Sequence, residues 1–394
     1  MKITVLGSTG SIGESTLSVT SHYNTIEPGA FEIDTLIAGS NADRLASQAI
    51  EARASHAVIA DDSQFARLKS NLANTGISCA AGAAAALDAA ARPVDKTMAA
   101  ISGTAGLLPT LSAIEAGNTI LLANKETMVC AGPLMLERAR QNDVAILPVD
   151  SEHNAIFQVL ENDVTVEKIA LTASGGPFRT ASMDEMRAAK PATALAHPNW
   201  EMGAKNSLDS ATMMNKGLEL IEAAYLFDLP EARIDVLVHP QSIIHSMVYY
   251  TDGSVLAQLS EPDMRTPIAH ALSWPRRITT DVKRLDLIKL AQLDFHEPDL
   301  HRFPAIRLAR EASRAGMLGT CVYNAANEAA GHAFLNGRCG FLDISTLVQD
   351  MLEKALDMGS NEMPSAVTSI DDVLLVTQCV NNWIEASLSA DFVA

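Results

Sequence analysis

The chain has 394 residues, 48% of them hydrophobic and 19% charged, enough apolar material for two or three cores of ordinary domain size without disulfides. Its formal charge of −18 repels the phosphates of nucleic acid and the anionic face of a membrane, and so argues against both as partners. Five scattered cysteines (Cys79, Cys130, Cys321, Cys339, Cys379) with no C-x-x-C pair point to reduced thiols and away from a cysteine-built zinc site. No apolar run approaches the roughly 18 residues of a spanning helix, and a first strand starting at Lys2 leaves no room for a leader, so a cytoplasmic enzyme is expected.

From residue 1 to 150, short apolar runs alternate with helix-length stretches: KITVLG, FEIDTLIAG, HAVIA, KTMAAIS, NTILLAN and DVAILPVD. Six strands separated by helices predict an α/β class, with an N-terminal Rossmann-like, doubly wound parallel sheet. The alanine-rich stretch Cys79 to Ala91 reads as an outer helix, alanine being the best helix former. Over 151–288 the texture changes to strands such as KIALTAS, IDVLVHP, SIIHSMVYYT and SVLAQLS around one long helix, which predicts a central α+β catalytic domain with a mostly antiparallel sheet. Residues 289–300 are proline-bearing and aperiodic, as in a linker, and 301–394 are helical in pattern, predicting a C-terminal helical bundle.

Directly after the first strand stands Gly7-Ser8-Thr9-Gly10-Ser11-Ile12-Gly13, opening a helix expected over Glu14 to Thr20. Glycines there let backbone approach a pyrophosphate, and the helix start offers unpaired N–H groups and the positive end of its dipole. The spacing is G-x-x-G-x-x-G rather than G-x-G-x-x-G, so an empty tight turn is the competing reading. The second strand ends Ile37-Ala38-Gly39-Ser40-Asn41 without the carboxylate that usually binds a ribose 2′-hydroxyl, which favours NADPH over NADH; Asp34 competes only if the strand ends earlier. Ser40 is neutral, so a 2′-phosphate there is held by hydrogen bonds more than by charge.

The sixth strand closes on Pro148-Val149-Asp150-Ser151-Glu152-His153. In an extended chain Asp150 and Glu152 face the same way at the carboxyl edge of the sheet, half of a Mg²⁺ or Mn²⁺ site. Alone, the pair reads better as a solvated acidic strand end. A second segment, Asn206 to Glu219, begins a helix for which Ser207 and Asp209 are candidate caps, and places Asn215, Lys216 and Glu219 on one face. Such a Lys–Glu pair is most often surface support. With Ser210 at the helix start, however, Asn beside Lys suits a phosphate, and Glu219 supplies a third metal carboxylate. Ser174-Gly175-Gly176 offers a backbone cradle for an anion. The irregular stretch over about 175–203, containing His197 and Trp200, reads as a lid. His153, His239 and His245 are left out of the metal set, because three carboxylates satisfy a hard cation.

Taken together, GSTGSIG, LLANKE, PVDSEHNA, ASGGPF, HPNWEMG, DSATMMNKGLE and VHPQSIIHSMV resemble the 1-deoxy-D-xylulose 5-phosphate reductoisomerase family over essentially the whole chain. The resemblance implies NADPH- and metal-dependent conversion of that sugar phosphate to 2-C-methyl-D-erythritol 4-phosphate in the non-mevalonate isoprenoid route. It implies Mg²⁺, Mn²⁺ or Co²⁺ on Asp150, Glu152 and Glu219, and the substrate phosphate on Ser174, Ser210, Asn215 and Lys216. Lys125, Ser151, Glu152 and His197 would meet the sugar, with Trp200 closing over it and Lys125 stabilising oxyanion charge. The cofactor set maps onto Thr9, Gly10, Ser11, Ile12, Gly39, Ser40, Asn41, Asn124, Glu126 and Gly203, with Ser40 standing where some members carry lysine. A homodimer built on the VHPQSIIHSMVYY and SVLAQLSEP strands is implied as well. A retro-aldol and an α-ketol route need the same metal. Two other readings predict different behaviour: a metal-free semialdehyde- or dihydrodipicolinate-type dehydrogenase, and a nucleotide sensor without turnover.

Overall fold

The computed structural model describes residues 1–161, 166–196, 203–357 and 363–390. The chain runs β1 (Lys2–Leu6), α1 (Ser11–Ile26), β2 (Glu32–Ala38), α2 (Ala42–Glu51), β3 (His56–Ile59), α3 (Phe65–Asn71), β4 (Ser78–Ala81) and α4 (Ala83–Ala90). It continues through β5 (Lys96–Ala99), α5 (Leu107–Glu115), β6 (Thr119–Leu122), α6 (Lys125–Gln141), β7 (Ile146–Pro148), α7 (Ser151–Val159) and β8 (Val166–Ala173). Next come α8 (Met183–Arg187), α9 (Pro191–Ala194), α10 (Ala204–Thr212), α11 (Met214–Leu226), β9 (Ile234–Val238), β10 (Ile244–Tyr250), β11 (Val255–Leu259) and α12 (Arg265–Ser273). Helices α13 (Leu287–Leu290), α14 (Ala305–Arg314), α15 (Gly316–Leu335), α16 (Asp343–Asp357) and α17 (Ile370–Ala390) follow. These elements form two compact units, one of Met1–Thr127, Met135–Asn154 and Asp263–Arg284, the other of Met128–Leu134, Ala155–Pro262 and Leu285–Ala394.

The first unit is built on a parallel sheet of order β4-β3-β2-β1-β5-β6-β7. Its central strands are buried on both faces, with Ile3, Val5, Leu36 and Met98 on one and Leu6, Ile37, Thr4 and Thr97 on the other, as a sheet covered by helices on either side requires. The strand order reverses at β1, so the carboxyl ends of β1, β2 and β5 border the crevice where such folds bind nucleotides. Asp263–Arg284 joins this unit through α12, which packs on α1. Lys96 on β5 is buried and donates to the carbonyls of Ala271 and Leu272 (3.0 and 2.8 Å) at the carboxyl end of α12, the end where a helix leaves carbonyls unpaired and favours a cation.

Sequence reasoning missed one strand here. Ser78–Ala81 pairs in parallel with β3 before α4 begins. Gly82, at φ +92°, makes the turn between strand and helix, a conformation that alanine rarely adopts. The helix expected over Glu14 to Thr20 is also longer, spanning Ser11–Ile26.

The second unit carries a mixed sheet of order β11-β10-β8-β9, with β8 parallel to β9 and β10 antiparallel to both β8 and β11. The Thr172 hydroxyl joins β8 to β10 by reaching the carbonyls of Ile244 and His245, both at 2.7 Å. Helix α11 packs on β8 and β9 and against α14, and α15 packs on α14, α16 and α17. Buried Tyr323 and Phe334 place α15 inside the helical part. Beyond α13, His296 pairs with Val238 across an isolated bridge, with mutual backbone bonds of 2.8 and 2.9 Å.

Candidate active site

In the first unit, Gly7 at the end of β1 takes φ +83°, and a Cβ there would lie 2.5 Å from the Ala100 carbonyl oxygen. Only glycine lets the chain leave the strand so close to β5. A Cβ on Gly13 would meet the Ser8 carbonyl at 2.4 Å, so this glycine sets how closely α1 crosses the strand. Between them Thr9, Gly10, Ser11 and Ile12 form an open turn, and Gly10 caps α1 with no side-chain hydrogen bond. The first-turn N–H groups, which a helix leaves without an internal acceptor, point their partial positive charge out of this turn.

At the end of β2, Gly39, Ser40 and Asn41 are exposed, and a Cβ on Gly39 would meet no atom within 4 Å. The Asn41 side chain caps α2 by accepting from the Arg44 N–H at 3.1 Å. One turn on, the Arg44 Nε donates to Glu14 on α1 at 2.8 Å. Asp34 lies in mid-strand, not at the end of β2, and is taken by Arg92 (Nε to Oδ2, 2.8 Å) and the Thr35 hydroxyl. Burial alone would raise its pKa, but the Arg92 guanidinium and the hydroxyl overcome that and hold it below the usual range.

Asn124 caps α6 through its side chain and also donates to the Gly103 carbonyl at 2.9 Å, so it is locked in place. Lys125 opens α6. Its Nζ lies 2.9 Å from Asp150 Oδ2. Asp150 does not sit on an extended strand either: β7 stops at Pro148, and Asp150 accepts from the Glu152 N–H at 3.3 Å as α7 begins. Glu152 and Ser151 thus lie in the first turn of a helix, with the Ser151 hydroxyl bonded to Glu152. His153, fully buried, puts Nδ1 3.1 Å from Asp150 Oδ1. Burial opposes ionisation of Asp150, yet the charges of Lys125 and His153 and their hydrogen bonds push its pKa well below the usual carboxylate value. The site thus keeps Asp150 ionised and oriented from two sides. Glu126, the neighbour of Lys125 on α6, is buried.

In the second unit, Ser174 follows β8, and its hydroxyl accepts from the Gly176 N–H at 3.2 Å. Gly175 and Gly176 both have positive φ, and a Cβ on Gly176 would lie 2.6 Å from the Ser210 carbonyl. That close approach brings the serine loop against α10. The expected single helix over Asn206 to Glu219 is two helices, because Met213 adopts the left-handed conformation (φ 63°) and stands between them as the C-cap of α10 and the N-cap of α11. Ser207 and Asp209 lie inside α10, whose N-cap is Gly203, and so do not cap it.

On α11, Asn215 and Lys216 both donate to Glu219, and Lys216 and Glu219 are buried. Before them, Asp209 is buried between Lys205 Nζ and Asn327 Nδ2, each at 2.8 Å. Asn327, on α15, had no signal in the sequence that linked it to the site. His197 and Trp200 lie outside the described residues, as do the residues around them in the expected lid. His239 and His245 are engaged elsewhere: His239 Nδ1 contacts the Asp294 carbonyl at 2.8 Å, and His245 Nε2 the Ser260 hydroxyl at 2.9 Å.

Three family models match the chain: 1-deoxy-D-xylulose 5-phosphate reductoisomerase over residues 3–132, its C-terminal domain over 146–227, and the DXP reductoisomerase C-terminal domain over 259–382. The 1-deoxy-D-xylulose 5-phosphate reductoisomerase of Rhodospirillum centenum is 53% identical over 372 residues, 94% of this chain and 92% of that protein. The Zymomonas mobilis reductoisomerase, solved with NADPH, matches with a TM-score of 0.90 and 47% identity over 98% of each chain. A DOX-P reductoisomerase solved with NADPH, fosmidomycin and magnesium matches with a TM-score of 0.92 and 40% identity over 99% of this chain and 98% of that one.

Proposed function

This chain belongs to the 1-deoxy-D-xylulose 5-phosphate reductoisomerase family, and from that premise we infer how its residues divide the work. The protein is an NADPH-dependent oxidoreductase that also requires a divalent metal. It isomerises and reduces 1-deoxy-D-xylulose 5-phosphate to 2-C-methyl-D-erythritol 4-phosphate. The observation that carries this is similarity along nearly the whole length, 53% identity over 94% of the chain.

Asp150, Glu152 and Glu219 are the ligands for the metal. All are carboxylates, the hard oxygen donors that Mg²⁺ and Mn²⁺ select, and all are partly or fully buried. Once bound, the metal supplies Lewis-acid polarisation of the substrate oxygens during rearrangement of the carbon skeleton. Lys125 holds a positive charge beside Asp150 and stabilises developing oxyanion charge on the sugar, with Ser151 and His197 orienting its hydroxyls. Ser174, Ser210, Asn215 and Lys216 hold the substrate phosphate; the Gly176 approach to Ser210 and the shared Glu219 partner of Asn215 and Lys216 support grouping them. Trp200 closes over the sugar and excludes water.

NADPH takes the Thr9–Gly10–Ser11–Ile12 turn with its pyrophosphate and the Gly39–Ser40–Asn41 end of β2 with its adenosine ribose. Asn124, Glu126 and Gly203 complete the cofactor set. The open turn at the start of α1 and the space over Gly39 fit such a ligand.

A second copy of the chain covers the β11 edge of the mixed sheet, where Val255 and Leu256 are 44% and 36% exposed. None of the five cysteines is joined in a disulfide, which suits the reducing cytoplasm. No helix among the described residues is long and apolar enough to cross a membrane.

Mixing the purified protein with NADPH, Mn²⁺ and 1-deoxy-D-xylulose 5-phosphate and following nicotinamide absorbance tests the reaction. Glu219→Gln is expected to abolish turnover while NADPH binding stays near wild type. Full activity of that variant refutes the metal assignment, and activity that survives a chelator favours a metal-free dehydrogenase instead.

A further inference from the structure

A 2′-phosphate carries about two negative charges, and the end of β2 meets it with the neutral Ser40. Gly39 and Asn41 on either side are neutral as well. If this site selects NADPH over NADH, a cation must come from elsewhere. Arg44 is placed to supply it. It sits in the first turn of α2, directly after the Asn41 cap, and its backbone N–H is the group that Asn41 holds at 3.1 Å. Its guanidinium reaches from α2 to the first turn of α1, where Glu14 accepts from Nε at 2.8 Å. The side chain is 43% exposed and Glu14 45%. The guanidinium therefore lies between the two backbone segments that border an adenosine ribose in a sheet of this type, the pyrophosphate turn and the second strand end.

We propose that Arg44 is the residue that reads the 2′-phosphate of NADPH, donating from its terminal nitrogens while Glu14 engages only Nε. A guanidinium suits the task, since it presents several donors in a planar fork and keeps its charge at any working pH. Glu14 occupies one edge of the fork and leaves the NH1 and NH2 groups to turn toward a ligand. The other acid of this turn, Asp43, is neutralised by Arg67, which binds both of its oxygens, and also accepts from the Asn71 amide at 2.9 Å. Asp43 therefore does not repel an arriving phosphate as a bare carboxylate would. An exposed Arg–Glu pair between two helices also has a plain structural reading, in which either change breaks the same pair; the proposal instead expects only the Arg44 change to weaken NADPH.

The inference rests on the placement of the adenosine ribose at Gly39–Asn41. With saturating Mn²⁺ and sugar phosphate, initial rates give KM for NADPH and for NADH in the wild type and in Arg44→Gln, Glu14→Gln, Ser40→Asp and the double variant Arg44→Gln/Ser40→Lys. Arg44→Gln is expected to raise KM for NADPH about ten- to hundredfold, the loss of a charge-assisted pair, with KM for NADH within about twofold and kcat kept. Glu14→Gln, which breaks the same ion pair from the other side, leaves KM for NADPH at or below the wild-type value. A lysine at Ser40 in the Arg44→Gln background restores most of the loss. The proposal is overturned if Arg44→Gln leaves KM for NADPH unchanged, if it raises KM for both cofactors alike, or if Glu14→Gln reproduces its effect. Ser40→Asp keeps the two failures apart: if it too leaves KM for NADPH unchanged, the ribose is not at the end of β2 and the site reading falls with the proposal. If it raises that KM while Arg44→Gln does not, only the role of Arg44 is lost.

Discussion

Lys125 Nζ stands 2.9 Å from Asp150 Oδ2, with the two side chains only 12% and 11% exposed. On the proposed assignment Asp150 is a metal ligand and Lys125 an oxyanion donor, so the lysine would compete with the cation for that carboxylate and would serve the substrate separately. Removing it therefore affects binding and chemistry differently. Lys125→Met is expected to bind Mn²⁺ at least as tightly as the wild type while kcat falls about 10²- to 10³-fold, the scale of losing one oxyanion donor. Calorimetric Mn²⁺ titration beside steady-state rates checks this. Parallel loss of metal affinity and turnover would mean that the lysine serves mainly to shape Asp150.

Asp209 gives a prediction beside Ser210, one of the residues proposed to hold the phosphate. It is buried one residue before Ser210 and is held by Lys205 and by Asn327 from α15, each at 2.8 Å. Asp209→Ala strands the buried Asn327 amide and removes the partner of Lys205, at a cost of about 3–5 kcal/mol by analogy with broken buried pairs. Asp209→Asn still accepts from Asn327 and is expected to cost less than half as much. Urea unfolding of the two variants separates them, and equal losses would show that the Lys205 charge, not the amide bond, dominates.

How much of this was legible in the chain depends on how local each feature is. The strand, glycine turn and helix at Gly7 to Gly13 are contiguous, so a spacing rule finds them. Asn215, Lys216 and Glu219 share one helix face, so the helical period groups them, and their bonds to one another follow. The strand Ser78–Ala81 was hidden because its sequence, SCAA, lacks branched or aromatic residues and runs straight into alanine helix. The i, i+2 rule places Asp150 and Glu152 on an extended chain, although Asp followed by Ser-Glu is also how a helix starts, and β7 is only three residues long. Asn327 bonds to Asp209 across a sequence separation of 118 residues, and Arg44 to Glu14 across 30. Neither pairing leaves a periodic trace, since each depends on how separate helices pack.

Gly217 tests the packing behind the site. It lies on α11 two residues before Glu219, and a Cβ there would fall 2.0 Å from the Tyr323 hydroxyl and 3.1 Å from the Ala305 carbonyl. Tyr323 is fully buried and its hydroxyl donates to that same carbonyl at 3.2 Å. The tyrosine therefore cannot swing away without losing its bond. Gly217→Ala is expected to destabilise the fold by about 1–3 kcal/mol despite the higher helix propensity of alanine. Tyr323→Phe, which deletes the clashing oxygen, should recover part of the loss when combined with it. Thermal unfolding of the single and double variants measures the coupling, and strictly additive effects would show that the clash is relieved elsewhere.

His270 sets an acid limit on the first unit. Its Nδ1 lies 3.2 Å from the Asn154 amide nitrogen, which also donates to the Pro148 carbonyl at 2.8 Å. An amide N–H needs an acceptor, so this contact requires the ring to be neutral at Nδ1. Burial, with the nearby charges of Arg277 and Lys96, pushes the imidazole down from its ordinary 6.5 to about 4. Between those values the unfolded chain takes up a proton that the folded chain refuses, so stability falls as pH drops from about 6.5 to 4 and is insensitive to this group above that window. The ring is only half-buried, and solvent screening reduces the loss to about 1–2 kcal/mol. His270→Asn keeps a neutral polar group at the position without the titration. Urea unfolding of both proteins at pH 7.5 and pH 5 should show the wild type losing more stability than the variant, whereas equal losses would assign the acid sensitivity to other groups.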